Sequence, residues 1–263
     1  MKKILLSLMV LGVTACSDNT KQAESSNQTP PATTENASKP TYRVVSEVSN
    51  YAPFIMRDEN KKISGFEYDL LNAIAAKQGF TLTFEPHTWE GIFDTLDSNR
   101  ADIISAGLSI TEERQQKWGF SDTYFQTSIA ALVPEDSPIK SFADLKARKV
   151  GFQKGSLSEK FARQFGVDTS NSQSAKTSWL LWKSVVSNEN EAIIDDAGPL
   201  KYYEKQYPNE KVRIITDDSL PKFDYGFAVR KNDAELLNKL NTGLAQIKLD
   251  GTYDRLYKQY FAK

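Results

Sequence analysis

Residues 101–114 read ADIISAGLSITEER. Residues 102–105 (DIIS) form a short apolar run of the kind that makes a buried strand. Gly107 follows and lets backbone approach a ligand closely. Thr111 can cap a helix that starts at Glu112. A strand leading through a glycine turn into a capped helix is an α/β unit, and ligands of open α/β sheets bind beyond the carboxyl ends of the strands. Arg114 sits near the start of that helix, where the macrodipole opposes a cation. An anionic ligand would offset that cost, since Arg grips a carboxylate bidentately. A surface ion pair with Glu112 or Glu113 would offset it equally well.

Two more strand ends share this form. Residues 149–153 (KVGFQ) lead through Lys154, Gly155, Ser156, Leu157 and Ser158 into a helix over about 156–165. Such a turn bares N–H groups that suit an anion, although the phosphate-loop pattern is absent and a routine turn reads alike. Residues 192–195 (AIID) lead into Asp195, Asp196, Ala197, Gly198 and Pro199. The paired carboxylates suit an ammonium group, or cap the next helix. Arg for a carboxylate, Asp for an ammonium and a helix N-terminus for the same carboxylate fit one ligand class, an α-amino acid. Spacing alone does not bring them together.

Outward from these turns, strand and helix signals alternate, which predicts an α/β fold. Strands are expected at 42–46, 81–85, 129–133 and 225–229. Phe66, Leu70, Leu71, Ile74 and Ala75 have helical spacing, so a helix is expected over 66–78 with Gly79 as its C-cap. Further helices are expected at 91–97, 177–186, 199–206, 234–249 and 252–261, with a capped turn at 141–146. Trp179 and Trp182 are three apart on one helix and read as core.

Lys2 and Lys3 precede a ten-residue apolar run at 4–13, too short to span a bilayer and right for a secretory signal. Val13-Thr14-Ala15-Cys16 resembles the lipobox of bacterial lipoprotein signal peptides. That resemblance implies removal of residues 1–15 and lipidation of Cys16. Residues 17–40 hold Ala as their sole apolar type and read as a disordered tether. The chain has 33 basic and 34 acidic residues, which argues against a nucleic-acid partner. One Cys and one His exclude a disulfide framework and make a zinc site untenable; no cofactor or metal is expected. His87 reads as an exposed loop residue, and no nucleophile motif stands near it.

The body also carries ordered blocks: YAPF at 51–54, GFEYDL at 65–70, WEG at 89–91, ADIIS at 101–105 and LSITEER at 108–114. They continue with FSD at 120–122, DLK at 144–146, VGFQKG at 150–155, GFAVRK at 226–231 and DGTYD at 250–254. In these blocks it resembles the polar amino-acid-binding proteins of bacterial ABC importers, family 3 extracellular solute-binding proteins. The resemblance implies a type II periplasmic-binding-protein fold, in which two α/β lobes joined by two hinge strands close on a ligand. Carried over, lobe 1 is 41–131 plus 226–263 and lobe 2 is 132–225, with hinges near 132–135 and 224–227. It implies that Arg114 and the N–H groups of Ser109 and Leu157 hold a ligand carboxylate. Asp196, the Gly107 carbonyl and the Ser109 hydroxyl would hold the ammonium. Tyr51 and Trp89 would sandwich the side chain, and Gln153 would help select it. Ala106 and Ser158 flank these positions, and Asp195 could add selectivity.

One departure stands out. Many relatives carry an acid three residues before the aromatic that matches Tyr51, and here that position is Val48. Glu47 lies one residue further back, on the opposite face if the strand alternates regularly. An inserted residue within 46–50 would instead bring Glu47 into the pocket and favour a cationic or amide side chain. The implied function is a monomeric, lipid-anchored transport receptor outside the cytoplasm, in the periplasm or at the cell surface. It would bind an amino acid without catalysis and hand it to an inner-membrane permease. A dehydratase of the cyclohexadienyl or arogenate kind, with Glu47 or Asp195 as base, and an amino-acid sensor or adhesin are the alternatives.

Overall fold

Among the described residues the chain forms two large sheets and a small antiparallel pair, Met56–Arg57 with Ile63–Ser64. The computed structural model describes residues 39–47, 51–170, 172 and 174–262. The signal segment, Cys16, the tether up to 38 and Val48 lie outside the described residues. The first half runs β1 (Thr41–Glu47), β2 (Met56–Arg57), β3 (Ile63–Ser64), α1 (Phe66–Gln78), β4 (Thr81–His87), α2 (Asp94–Asp97), β5 (Ile103–Ser105), α3 (Glu112–Lys117) and β6 (Trp118–Phe120). Then come β7 (Phe125–Pro134), a 3-10 turn (Phe142–Leu145), β8 (Val150–Gly151), α4 (Leu157–Gln164), α5 (Ser178–Val186), β9 (Ala192–Asp196) and α6 (Ala197–Gln206). The chain closes with β10 (Val212–Ile215), β11 (Lys222–Tyr225), β12 (Ala228–Arg230), α7 (Ala234–Leu249) and α8 (Thr252–Phe261).

The first sheet has the order β4-β1-β5-β12-β6. Its parallel part is β4-β1-β5, and β12 runs antiparallel to β5 and β6. Phe66, Leu70, Leu71 and Ile74, the stripe expected on α1, are fully buried with Leu240 and Leu244 of α7. Each such side chain contributes roughly 1.5–3 kcal/mol relative to exposure. Ile92, Leu96, Ala106 and Leu108 bury the sheet's other face.

The second sheet has the order β10-β7-β9-β8, with β11 also on β7. Phe142, Leu145 and Phe161 cover one face, and Leu181, Trp182, Leu200 and Tyr203 the other. Trp182 is buried, the core role expected of it, whereas Trp179 is half-buried and packs at the core's edge on Tyr203 and Tyr207. The architecture is thus two α/β layers, each with its own core.

Strand β7 joins them. Its first residues, 125–128, pair with β11, and residues 129–134 pair with β9 and β10. Leu132 lies inside the second sheet, opposite Ile193, so the hinge expected at 132–135 is not where the chain passes between sheets. Residues 225–229 are also two strands and not one. β11 pairs with β7, whereas β12 pairs with β5 and β6. His87 ends β4 and is half-buried, not a loop residue, with Nδ1 2.7 Å from the Thr88 carbonyl oxygen. Among the described residues no helix is long and apolar enough to cross a membrane.

Candidate functional site

Residues at or just beyond the carboxyl ends of the neighbouring parallel strands β1 and β5, and of β9, surround one small cavity. Glu47, Tyr51, Trp89, Ala106, Gly107, Ser109, Arg114, Gln153, Leu157, Ser158, Asp195 and Asp196 all line it, and Ser156 joins them. Every side chain read as a site residue within the described part of the chain is therefore brought together.

Arg114 is placed by local chemistry. Thr111 Oγ1 accepts from the Arg114 N–H at 3.2 Å and caps α3, as its position predicted. The guanidinium donates to the Ser109 carbonyl at 2.9 Å and lies 5.4 Å from the Trp89 ring centre and 5.3 Å from that of Phe93. Those rings hold the cation by their quadrupoles. It joins none of the ion pairs among the described residues, so pairing with Glu112 or Glu113 is not what holds it. Burial pushes its pKa down, opposed by the charges of Asp196 and Glu113.

Gly107 has φ +59°, and a Cβ there would lie 2.2 Å from Tyr51 Cε1. Glycine is required twice over, by conformation and by the ring packed on it. Its N–H donates to Glu67 Oε1 at 2.8 Å, while the Ser105 and Tyr124 hydroxyls also donate to Glu67. That buried carboxylate on α1 fixes the turn from behind.

Across the cavity, the Ser156 hydroxyl donates to the Gln153 carbonyl at 2.6 Å, so the first turn of α4 has no side-chain cap. Asp196 stands at the N-cap of α6 but makes no cap bond either. Tyr51 and Tyr225 donate their hydroxyls to its Oδ2. Its Oδ1 is buried and has no partner, as is Asp195 Oδ2. Burial raises the pKa of Asp196, offset by those two hydroxyls and by Arg114. Burial, with the charge of Asp196 added, pushes Asp195 up to about 7.

Glu47 settles into the cavity. It is 4% exposed, and Gln153 Nε2 donates to its Oε1 at 2.7 Å. Of the two placements left open by the sequence, the inward one is the one observed. Burial pushes its pKa up to about 8, against the Gln153 hydrogen bond that lowers it. The cavity thus gathers three carboxylates, Glu47, Asp195 and Asp196, around one guanidinium.

The profile of the bacterial extracellular solute-binding proteins, family 3, matches residues 43–263. The chain belongs to that family. The probable histidine-binding protein of Neisseria gonorrhoeae is 31% identical over 98% of this chain and 94% of its own length. An ancestral arginine-binding protein bound to arginine is 38% identical over 85% of this chain and 99% of its own, with a TM-score of 0.78. The ancestral amino acid-binding protein AncCDT-1, a precursor of cyclohexadienyl dehydratase, is 37% identical over 84% of this chain and 95% of its own, with a TM-score of 0.74. The fold of this family 3 protein is accordingly the two-lobe periplasmic-binding-protein fold.

Sequence reasoning missed Tyr225 and Ser156. Tyr225 reads as the start of a strand, and nothing in that strand's pattern marks a hydroxyl 29 positions from Asp196 as its partner. Ser156 reads as part of the turn into α4, and that place is the signal that nominates it.

Proposed function

We propose that this protein is the substrate-binding component of a bacterial amino-acid ABC importer. It takes a polar or basic L-amino acid, or cystine, outside the cytoplasm and presents it to an inner-membrane permease. One observation carries the reading: a half-buried guanidinium and an uncapped helix N-terminus face an unpartnered carboxylate oxygen across one cavity. That is a donor set for an α-carboxylate and an acceptor for an α-ammonium. Tyr51 and Trp89 flank the space left for the side chain, and Glu47 with Gln153 closes its far end. The names of the histidine- and arginine-binding relatives support the same ligand class.

We divide the lobes at the β7–β11 ribbon, 125–128 with 222–225, because these strands lead from one sheet to the other. Ligand contacts from both sides stabilise the closed arrangement without chemistry. The protein acts as a monomer, lipid-anchored through Cys16 with residues 17–40 as its tether. A second reading, a dehydratase, is favoured by a carboxylate base in the cavity with a pKa of about 8 and by the likeness to AncCDT-1.

Titration with the twenty amino acids, cystine and ornithine, followed by Trp fluorescence after removal of any bound ligand, separates these readings. Tight binding of one or a few amino acids is expected. Arg114→Ala or Asp196→Asn should weaken it by on the order of 100-fold, the loss of a charge-assisted contact. No binding at millimolar concentration, together with turnover of arogenate or prephenate, would transfer the protein to the enzyme class. The mass of the membrane-extracted protein checks the lipid on Cys16.

A further inference from the structure

We propose that Tyr225 is a positioning residue of the amino-acid site: its hydroxyl holds Asp196 Oδ2 and leaves Oδ1 free for the ligand ammonium. The inference rests on the amino-acid-binding reading above.

The backbone of Tyr225 is fixed on both sides. It forms a β-bridge with Ser109, flanked by Ile110 N–H to the Asp224 carbonyl at 2.7 Å and Gly226 N–H to the Leu108 carbonyl at 3.1 Å. The Tyr124 N–H donates to the Tyr225 carbonyl at 3.1 Å. The same residue ends β11, opposite Phe125 in the ribbon between the sheets. Its ring is fully buried, 5.3 Å from Phe54 and 5.8 Å from Phe125 between centroids. Phenylalanine would fill that space equally well. A buried hydroxyl must find a partner, and this one finds Asp196.

Asp196 has been withdrawn from the role its position offers. An Asp at a helix N-cap ordinarily accepts from the first-turn N–H groups. Here the two tyrosine hydroxyls, with one proton each, converge on Oδ2, and Oδ1 is left buried without a partner. With both protons spent on Oδ2, the 2.9 Å contact between the two phenol oxygens has none left to share. The arrangement orients the carboxylate and leaves one acceptor unfilled. Tyr225 thereby ties the ammonium contact to the Ser109 segment and to the ribbon, three parts of the site at one side chain.

Removing the hydroxyl has a signature that packing loss lacks. The hydrogen bonds from Tyr225 and Tyr51 help keep Asp196 ionised against burial. Asp195, Tyr51, Tyr225 and Arg114 face Asp196; Asp195 in turn acts on Glu47, and Tyr124 stands beside Tyr225. Without the Tyr225 hydroxyl, Asp196 takes a proton at higher pH, and an ammonium ligand is lost at higher pH with it.

The experiment titrates L-arginine and L-histidine against wild type, Tyr225→Phe, Asp196→Asn and the double variant from pH 4 to 9, with thermal melts alongside. Expected are a roughly tenfold or greater loss of affinity in Tyr225→Phe at pH 7 and an acid limb moved to higher pH. Both effects should vanish when Asp196→Asn is the background. Wild-type binding with an unmoved acid limb in Tyr225→Phe would overturn the positioning role alone. An effect of Tyr225→Phe that persists undiminished beside Asp196→Asn would overturn it too. A wild type that binds neither these two amino acids nor any other overturns the amino-acid reading and this inference together.

Discussion

At the end of β1, Glu47 meets a single donor, Gln153 Nε2, in a cavity it shares with Asp195 and Asp196. Its pKa stands at about 8 in the folded protein against 4.5 for the free group, with burial the main cause. A raised carboxylate pKa means that the folded state binds the extra proton. The associated stability is complete below the unfolded value and is lost as pH rises through the folded one. Asp195, at about 7, adds a slope of the same sign, as do Asp196 and Glu67, both also raised. Asp102, lowered to about 2 beside Arg43 and Arg230, titrates below this window. The urea midpoint of the ligand-free protein should therefore fall between about pH 5 and pH 8. Glu47→Gln should flatten that fall and raise the midpoint at pH 8. Equal slopes for variant and wild type would show that Glu47 is not the protonated group. Residue identities here were legible, because Arg, Asp and Gly at strand ends announce themselves chemically. The side on which Glu47 falls was not, because it depends on backbone geometry within 46–50 that alternation cannot supply.

Elements are legible where their signals are local. The helices expected at 66–78, 234–249 and 252–261 are α1, α7 and α8 to the residue, since capping and 3.6-residue spacing lie within each segment. Strands defined by distant partners were harder. β2, β3, β6 and β10 carry two to four residues each and exist because another strand lies beside them. The run at 225–229 reads as one strand yet divides at Gly226. A Cβ there would come within 2.9 Å of Ile110 Cδ1 and 3.0 Å of the Ser121 carbonyl oxygen. The chain passes through a slot at that point and changes partners. Element boundaries also carry function. α3 has only six residues and holds Arg114 in its first turn through the Thr111 cap. Thr111→Ala should cost about 1 kcal/mol of stability, the usual value of an N-cap. It should weaken amino-acid binding as well, because the N–H released is that of Arg114. Urea unfolding and the ligand titration measure the two effects. A stability loss with unchanged affinity would mean that the Ser109 carbonyl and the Trp89 and Phe93 rings alone hold the guanidinium.

At the scale of the molecule, the site exists only where the two sheets meet. Tyr51 follows β1 of the first sheet and Asp196 ends β9 of the second, 145 positions apart in sequence, with a 2.5 Å hydrogen bond between them. Gln153, beyond β8, reaches Glu47 across 106 positions. Spacing nominates these residues but does not make them converge; the pairing of strands in two separate sheets does. Both contacts cross the lobe division proposed here, so each helps to hold the two lobes together through a group that a ligand would address. Tyr51→Phe combined with Gln153→Ala removes both latches and keeps the aromatic ring over Gly107. In the absence of amino acid, the radius of gyration from small-angle scattering should then exceed that of the wild type. Saturating L-arginine should bring it back, since ligand contacts from both lobes replace the latches. Apparent affinity should fall by the factor by which the closed population falls, because a ligand selecting a rarer state is penalised by that fraction. A radius unchanged by the double substitution would mean that the ribbon of β7 and β11, and not these two hydrogen bonds, sets the resting angle between the lobes.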